Sequence, residues 1–318
     1  MVNPLVTVIC LCYNHERFVQ EAIESVLNQT YPNIEVIIVD DASNDNSRKV
    51  ISEKLRSHPE LNVVFLDTNV GICRAFNAGW RIASGEFVVD FSTDDVLLPE
   101  RIEKQVRYFQ STGKSNGVVF TDAVYIDEQG REVRRHFDYL RKQKLLTTIP
   151  TGDIYADVIA RFFVPAPTML VRREVLRALG GYDETLAYED FDFWVRSARE
   201  FSYGFLNEAL TKIRVSSTSL SHKLYLPGDK QAYSTYRVCR KIAQLNETER
   251  EKAALQQRLR YELRHCVLTG NHAEGELFYR LMVETGKPDF LSTMLMYIRK
   301  LRLPLSSVRR LYHRIRYR

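Results

Sequence analysis

No run of about eighteen apolar residues occurs in the 318-residue chain, so no membrane-spanning helix is expected. The opening MVNPLVTVICLCYN lacks a positive n-region and passes straight into a strand pattern, which is not the build of a secretory leader. Five cysteines, at 10, 12, 73, 239 and 266, form no CxxC pair and no even framework; reduced thiols of a cytoplasmic protein are the simplest reading. Neither GxGxxG nor GxxxxGK followed by Ser or Thr is present, which disfavours dinucleotide binding and P-loop phosphate cradling. Internal repeats and low-complexity segments are also lacking. Acidic residues are missing from one place: residues 299–318 hold eight Lys or Arg and no Asp or Glu. The other 298 residues hold 37 basic against 40 acidic side chains, a net of −3, so the basic balance belongs to the tail. A general nucleic-acid surface is therefore excluded, and no nucleic-acid partner is expected.

What is present first is alternation. Leu5 to Cys12 is a near-continuous apolar run, as in a strand buried on both faces. Phe18, Ala22, Val26 and the pair Ile23 and Leu27 then repeat at helical spacing. Glu35 to Val39 reads as a strand that stops at Asp40-Asp41, Val50 to Leu55 as helix, and Val63 to Leu66 as strand. Ala75 to Ala83 is helical, and Gly85 opens the strand EFVVDF, which stops at Thr93-Asp94-Asp95. Strands separated by helices imply right-handed crossovers and a doubly wound, mostly parallel sheet with helices on both faces. Residues 100–220 are less regular: a helix from Pro99 to Gln110, a strand near Gly117 to Thr121, a polar stretch over 131–155, and a helix from Glu189 to Glu200. From about 228 the composition changes to charged helix formers without strand signal. The expected division is an α/β catalytic domain over 1–227 and a helical C-terminal extension over 228–318.

Two strands end in paired aspartates. Ligands of an open α/β sheet sit outside the carboxyl ends of its strands near the switch point, so Asp40-Asp41 and Asp94-Asp95 should converge. One such pair alone is more simply a cap or a turn; two at equivalent strand ends are harder to dismiss. Clustered carboxylates need a compensating cation or donor, and hard oxygen ligands suit Mg²⁺ or Mn²⁺. A third cluster, Glu189-Asp190 with Asp192, opens a helix. Asp192 reads as a dipole complement or a solvated side chain. Asp190 stands four residues before Trp194 on the inward side and can act as a general base.

The order VTVICLCYNHERFVQEAIESVLNQTYPNIEVIIVDDASNDNS, NVGICRAFNAG, SGEFVVDFSTDDVLLPERI and GGYDETLAYEDFDFWVR resembles the family 2 glycosyltransferases of the GT-A fold, inverting and non-processive, over residues 4–220. The resemblance implies a nucleotide-diphosphate sugar donor, Mg²⁺ or Mn²⁺, a glycan or lipid-linked acceptor, and a single displacement. It assigns Cys12, Tyr13 and Asn14 to the segment lining the nucleoside, and Asp40 and Asp41 to the pyrimidine and ribose. By the same resemblance Asp94 and Asp95 end the DXD region that holds metal and diphosphate. Asp190 falls at the catalytic base, with Glu189 beside it as acceptor or helix support.

Three departures stand out. Ser92 replaces the first DXD aspartate; Ala75-Phe76-Asn77 stands where an arginine often reaches the donor, leaving Arg74 as a substitute; and Ser216 stands where a histidine often follows the last core strand, with His222 nearby. Asp90, inside a strand, has no role from sequence. Two other functions stay open. A nucleotidyltransferase should carry a Gly-rich loop where CYNHERF has no glycine, and a non-catalytic relative is the alternative that Ser92 raises. The tail has two readings as well. Val308, Leu311, Tyr312 and Ile315 form a helical stripe ringed by arginines, which suits the anionic inner face of the cytoplasmic membrane or a helix packed on the protein.

Overall fold

The seven residues of Val6–Cys12 (β1) are buried throughout, so this strand needs a neighbour on each side. It pairs in parallel with Ile34–Asp40 (β2) on one side and with Phe87–Ser92 (β4) on the other. Asn62–Phe65 (β3) adds to β2, also in parallel. The structure is a computed structural model that describes residues 3–113, 115–215, 228 and 230–300. Val19–Leu27 (α1), Ser47–Ser57 (α2) and Ile72–Ile82 (α3) make the crossovers, and α1 buries Val19, Ala22, Ile23 and Val26 at helical spacing. Helix α3 can lie directly on the sheet because position 79 is glycine: a Cβ there would stand 2.7 Å from Cγ2 of Ile9.

Register sets the functional edge. Cys12 lies opposite Asp40 and Leu11 opposite Ser92, so three parallel strands end together. The order β3-β2-β1-β4 places β1 at the switch, its two neighbours lying on opposite sides.

Beyond β4 the sheet is mixed. Leu170–Arg172 (β8) runs antiparallel to both β4 and Asn116–Ile126 (β6). Ser202–Arg214 (β9) is parallel to β6, and the short Val96–Leu97 (β5) pairs antiparallel with β9. Glu132–Arg135 (β7) pairs with β6 off the main path. Arg101–Thr112 (α4) follows the expected helix, and Arg173–Leu179 (α7) ends on Gly180 in the left-handed region at φ 69°. The polar stretch 131–155 is more ordered than its composition suggested. It contains β7 and His136–Lys142 (α5), which buries Phe137 and Leu140 one turn apart.

The chain forms two compact units. The sheet unit takes residues 1–154, 163–185 and 192–216, and the helical unit takes 155–162, 186–191 and the described residues beyond. In the helical unit Gln231–Leu245 (α9), Glu249–Thr269 (α10), His272–Thr285 (α11) and Phe290–Lys300 (α12) follow one another. Helix α10 starts at a reciprocal cap: the Thr248 side chain accepts from the Glu251 N–H, and the Glu251 carboxylate accepts from the Thr248 N–H.

Two earlier stretches fold into this unit. Tyr155–Ala160 (α6) is tied by Tyr155 Oη to Asn246 at 3.1 Å and by Asp157 to Arg250 at 2.8 Å. The segment 186–191 hangs on α9, where Ser234 Oγ accepts from the Ala187 N–H at 2.9 Å and Thr235 meets Tyr188 Oη at 2.6 Å. The buried guanidinium of Arg258 on α10 lies 3.9 Å from the Phe162 ring and donates to the Ile159 carbonyl at 2.9 Å. No described helix is long and apolar enough to cross a membrane.

Candidate active site

The end of β1 is clamped between its neighbours. The Cys12 carbonyl accepts from the Asp41 N–H and the Leu11 carbonyl from the Thr93 N–H, both at 2.9 Å. The chain then turns through Asn14, held in the left-handed region at φ 58°. Asn14 Oδ1 accepts from the Asn44 N–H at 2.8 Å, and its own N–H donates to Ser43 Oγ at 2.9 Å. These bonds lock the loop after β1 to the loop after β2. Tyr13 is left with its ring out, 42% exposed. The Cys12 side chain is buried beneath it, and burial pushes its thiol above the ordinary range.

The first acidic pair divides into two roles. Asp41 spends both oxygens on main chain, accepting from Val70 N–H at 2.7 Å and Gly71 N–H at 2.9 Å, and so fixes the entry to α3. Asp40 is fully buried. Its Oδ1 accepts from Arg48 Nε at 2.6 Å and from Ser43 N–H at 3.1 Å, while its Oδ2 is buried with no hydrogen-bond partner. An orphaned buried acceptor costs about 1–3 kcal/mol, a penalty that an incoming N–H donor can relieve.

The second pair also divides. Asp94 is half-buried; its Oδ1 accepts from Ser92 Oγ at 2.5 Å, and its Oδ2 lies 4.0 Å from His15 Nε2. Asp95, grouped with it in the sequence reading as a metal ligand, is buried inside the loop and accepts from the Arg214 N–H at 2.8 Å. Burial and then the charge of Asp94 push the Asp95 carboxyl well above the usual range, against the pull of Arg214 and Arg101. Burial also lowers Arg101 to about 9. Asp95 is thus engaged in holding its loop.

Other expected positions find definite partners. Arg74 lies in the first turn of α3 with its Nε 3.8 Å from Glu184. Asn77 is buried, donates to the Tyr182 carbonyl at 2.9 Å and accepts from the Tyr182 N–H at 3.0 Å; Phe76 stacks on Tyr182 with centroids 4.1 Å apart. The position expected of an arginine therefore packs the turn after α7. Asp90 gains its account here, accepting from Tyr182 Oη at 2.8 Å. Asp192 corrects the expectation of a solvated side chain. It is buried and accepts from Arg196 Nε at 2.6 Å, while Arg196 also donates to the Leu179 and Gly181 carbonyls. Ser216 and His222 lie outside the described residues.

Glu189 and Asp190 belong to the helical unit, at the start of Asp190–Glu200 (α8). Asp190 keeps partial exposure, yet packing around it raises its carboxyl above the ordinary value, opposed by its own backbone N–H and a hydrogen bond from the Glu189 side chain.

Among the described residues no three His, Cys, Asp or Glu side chains come together as an ion-holding group. The donor set at the sheet edge is an outward carboxylate oxygen of Asp94 and an imidazole nitrogen of His15. That set fits a divalent ion that completes its shell with diphosphate oxygens and water.

Residues the sequence reading did not single out organise this edge. His15 Nδ1 lies 2.9 Å from Thr93 Oγ1, and the His15 N–H donates to buried Ser47 Oγ at 2.9 Å. Arg214 lays its guanidinium 4.4 Å from the Phe18 ring and donates to the carbonyls of Asp94 and Asp127 and to Glu21. His15 directly follows the CYN segment, a signal that was there to be read. Arg214 meets Asp95 across 119 positions and gave none.

The family model for glycosyl transferase family 2 matches residues 7–180. EpsE of Bacillus subtilis, named as a glycosyltransferase, is 30% identical over 245 residues, which cover 76% of this chain and 84% of EpsE. Residues 1–349 of S. aureus TarS, solved in complex with UDP-GlcNAc, superpose with a TM-score of 0.68 at 20% identity, over 88% of this chain and 80% of that one. The mannosyltransferase PcManGT from Pyrobaculum calidifontis, in complex with GDP-Man and Mn²⁺, has a TM-score of 0.61 at 18% identity, over 98% and 84% of the two chains. Both structural likenesses are likenesses of fold, the GT-A fold that the sequence resemblance implied.

Proposed function

The chain belongs to glycosyl transferase family 2, and from that premise we propose that it moves one sugar from a UDP- or dTDP-linked donor to a hydroxyl of a glycan or lipid-linked acceptor, with inversion at the anomeric carbon. The observation that carries the reading is the shared edge of β1, β2 and β4, where Tyr13, Asn14, Asp40 and Asp94 end three parallel strands in one register. Tyr13 offers an exposed ring on which a base can stack, and Asp40 offers an unpartnered acceptor for a pyrimidine N3–H. Asp94 would hold Mg²⁺ or Mn²⁺, an ion that neutralises charge developing on a leaving diphosphate. Asp41 and Asp95 keep the two loops in place from beneath.

Asp190 takes the acceptor's proton. A base is most effective when its pKa approaches the working pH, and the upward shift of Asp190 acts in that direction. Glu189, hydrogen-bonded to it, orients the carboxylate. The basic residues 299–318 suit an anionic membrane surface, which would bring the enzyme to a lipid-linked acceptor in cell-envelope polysaccharide assembly.

The test is a mass-spectrometric screen of UDP-, dTDP- and GDP-sugars for hydrolysis and transfer, with Mn²⁺ and with EDTA. Turnover of a UDP- or dTDP-sugar that EDTA abolishes, giving a product of opposite anomeric configuration, is expected. Preference for GDP-sugars overturns the base assignment, full activity in EDTA overturns the metal, and retained configuration overturns the mechanism.

A further inference from the structure

The histidine that follows Asn14 is held as a metal-ligating histidine is held. The Thr93 hydroxyl donates to the Leu11 carbonyl at 3.0 Å, so its oxygen is left to accept from His15 Nδ1–H at 2.9 Å. In the neutral ring this fixes the tautomer and puts the lone pair on Nε2. A ligating imidazole in general gives its second N–H to a protein acceptor in this way. In that tautomer the Nε2 lone pair faces the Asp94 Oδ2 across 4.0 Å in a half-buried setting. Asp94 is oriented for this as well, since its other oxygen is taken by Ser92 Oγ at 2.5 Å.

We propose that His15 is a ligand of the divalent ion: its Nε2 supplies the coordination lost where Ser92 replaces a carboxylate, and the nitrogen makes the site select Mn²⁺ over Mg²⁺. The inference rests on the reading that Asp94 meets the donor's metal. Two ligands of one ion stand closer than the 4.0 Å seen here, so a bound ion would draw the His15 and Asp94 side chains together. The selectivity follows from ligand chemistry. Mg²⁺ demands hard oxygen ligands and sheds water reluctantly, while later divalent ions bind imidazole more readily. Ser92 thereby gains a purpose: it no longer binds the ion but turns Asp94 toward His15.

Paramagnetic resonance of Mn²⁺ with the full-length protein and UDP tests this without turnover. The wild-type complex should show nitrogen modulation from a coordinated imidazole. His15→Gln should lose that modulation and weaken Mn²⁺ by about tenfold or more, of the size seen when metal-site partners are removed. His15→Asp should restore tight binding while shifting competition in favour of Mg²⁺. Normal Mn²⁺ affinity in His15→Gln together with loss in Asp94→Asn overturns the role of His15 and leaves the Asp94 reading intact. Unchanged affinity in both variants overturns the two together. Absence of nitrogen modulation in wild type overturns the ligand assignment whatever the variants do.

Discussion

A carboxylate's work is set by what already occupies its oxygens, and the aspartates of this protein separate on that ground. Asp41 is spent on two backbone N–H groups, Asp192 on Arg196, and Asp95 on the Arg214 N–H inside its loop. Asp94, with one oxygen facing His15, and Asp190, partly exposed, are the two proposed for chemistry. The contrast within the second pair is testable: Asp95→Asn preserves an acceptor for Arg214 and should keep Mn²⁺ affinity with UDP within a few-fold of wild type. Asp94→Asn should lose it, by calorimetry under the same conditions. Equal loss from both variants would mean that Asp95 also turns to the ion. For Asp190 the expectation is kinetic. General-base catalysis is worth about 10²–10⁴-fold, so Asp190→Asn should cut kcat by roughly that factor with donor KM little changed. The base acts when deprotonated, and its carboxyl is raised. The acid limb of kcat/KM should therefore sit above the ordinary carboxylate pKa of about 3.9 and vanish in the variant. An acid limb that survives in Asp190→Asn assigns the titration to another group.

At the scale of elements, the segment that presents Asp190 is anchored by α9. Tyr188→Phe removes the hydroxyl that meets Thr235 at 2.6 Å, while the buried Thr235 hydroxyl keeps its donation to the Gln231 carbonyl at 3.0 Å. A loss of about 0.5–1.5 kcal/mol in stability is expected from one buried hydrogen bond, read as a lower urea midpoint. If the bond positions the base, kcat should fall more than KM, and the fall should shrink in an Asp190→Asn background because the two residues act as a unit. Purely additive losses would make the bond structural only. His136 gives a pH handle on the sheet unit. It is half-buried between Tyr125 and the Phe163 carbonyl, which accepts from its Nε2 at 2.8 Å, and desolvation lowers its pKa from 6.5. Protonation then favours the unfolded chain, so stability is full above about 6.5 and declines as pH falls through the folded-state value. Melting temperature should drop between about pH 7 and 5, with a shallower slope in His136→Gln. Elements such as β1, β2 and β4 were legible because each is a short, mostly apolar run, buried throughout in β1, and because paired acids mark the ends of β2 and β4. Strand β9 was not, since its buried positions follow no period and Asn207 and Glu208 interrupt it. The positions of Tyr13, Asp40 and Asp94 at one edge were legible for the same reason as the strands. The hold on Asp95 was not, because a main-chain N–H donor 119 positions away leaves no mark in a side-chain pattern.

For the whole molecule, charge is the feature that composition isolates. The basic excess lies at the end of the chain, but its first arginine is already committed. Arg299 is three-quarters or more buried, donates to the His272 carbonyl at 3.0 Å and pairs with Glu276, clasping α12 to α11. The remaining six arginines fall in 301–318, outside the described residues. On α12, Phe290, Leu291, Met294 and Tyr297 are exposed at positions that share one helical face, just ahead of that stretch. An apolar face followed by arginines suits an anionic bilayer, each cation contributing about 1 kcal/mol near the surface. The cut that tests it belongs after Lys300, where it spares the Arg299 clasp. Protein ending at 300 should lose flotation with vesicles containing phosphatidylserine or phosphatidylglycerol, and keep its melting temperature and donor hydrolysis. Full-length binding should weaken as salt rises, because exposed charges are screened within about 8 Å at physiological ionic strength. Equal flotation of both proteins would remove the arginines from membrane attachment. A fall in melting temperature on truncation would instead assign the tail to packing on the protein.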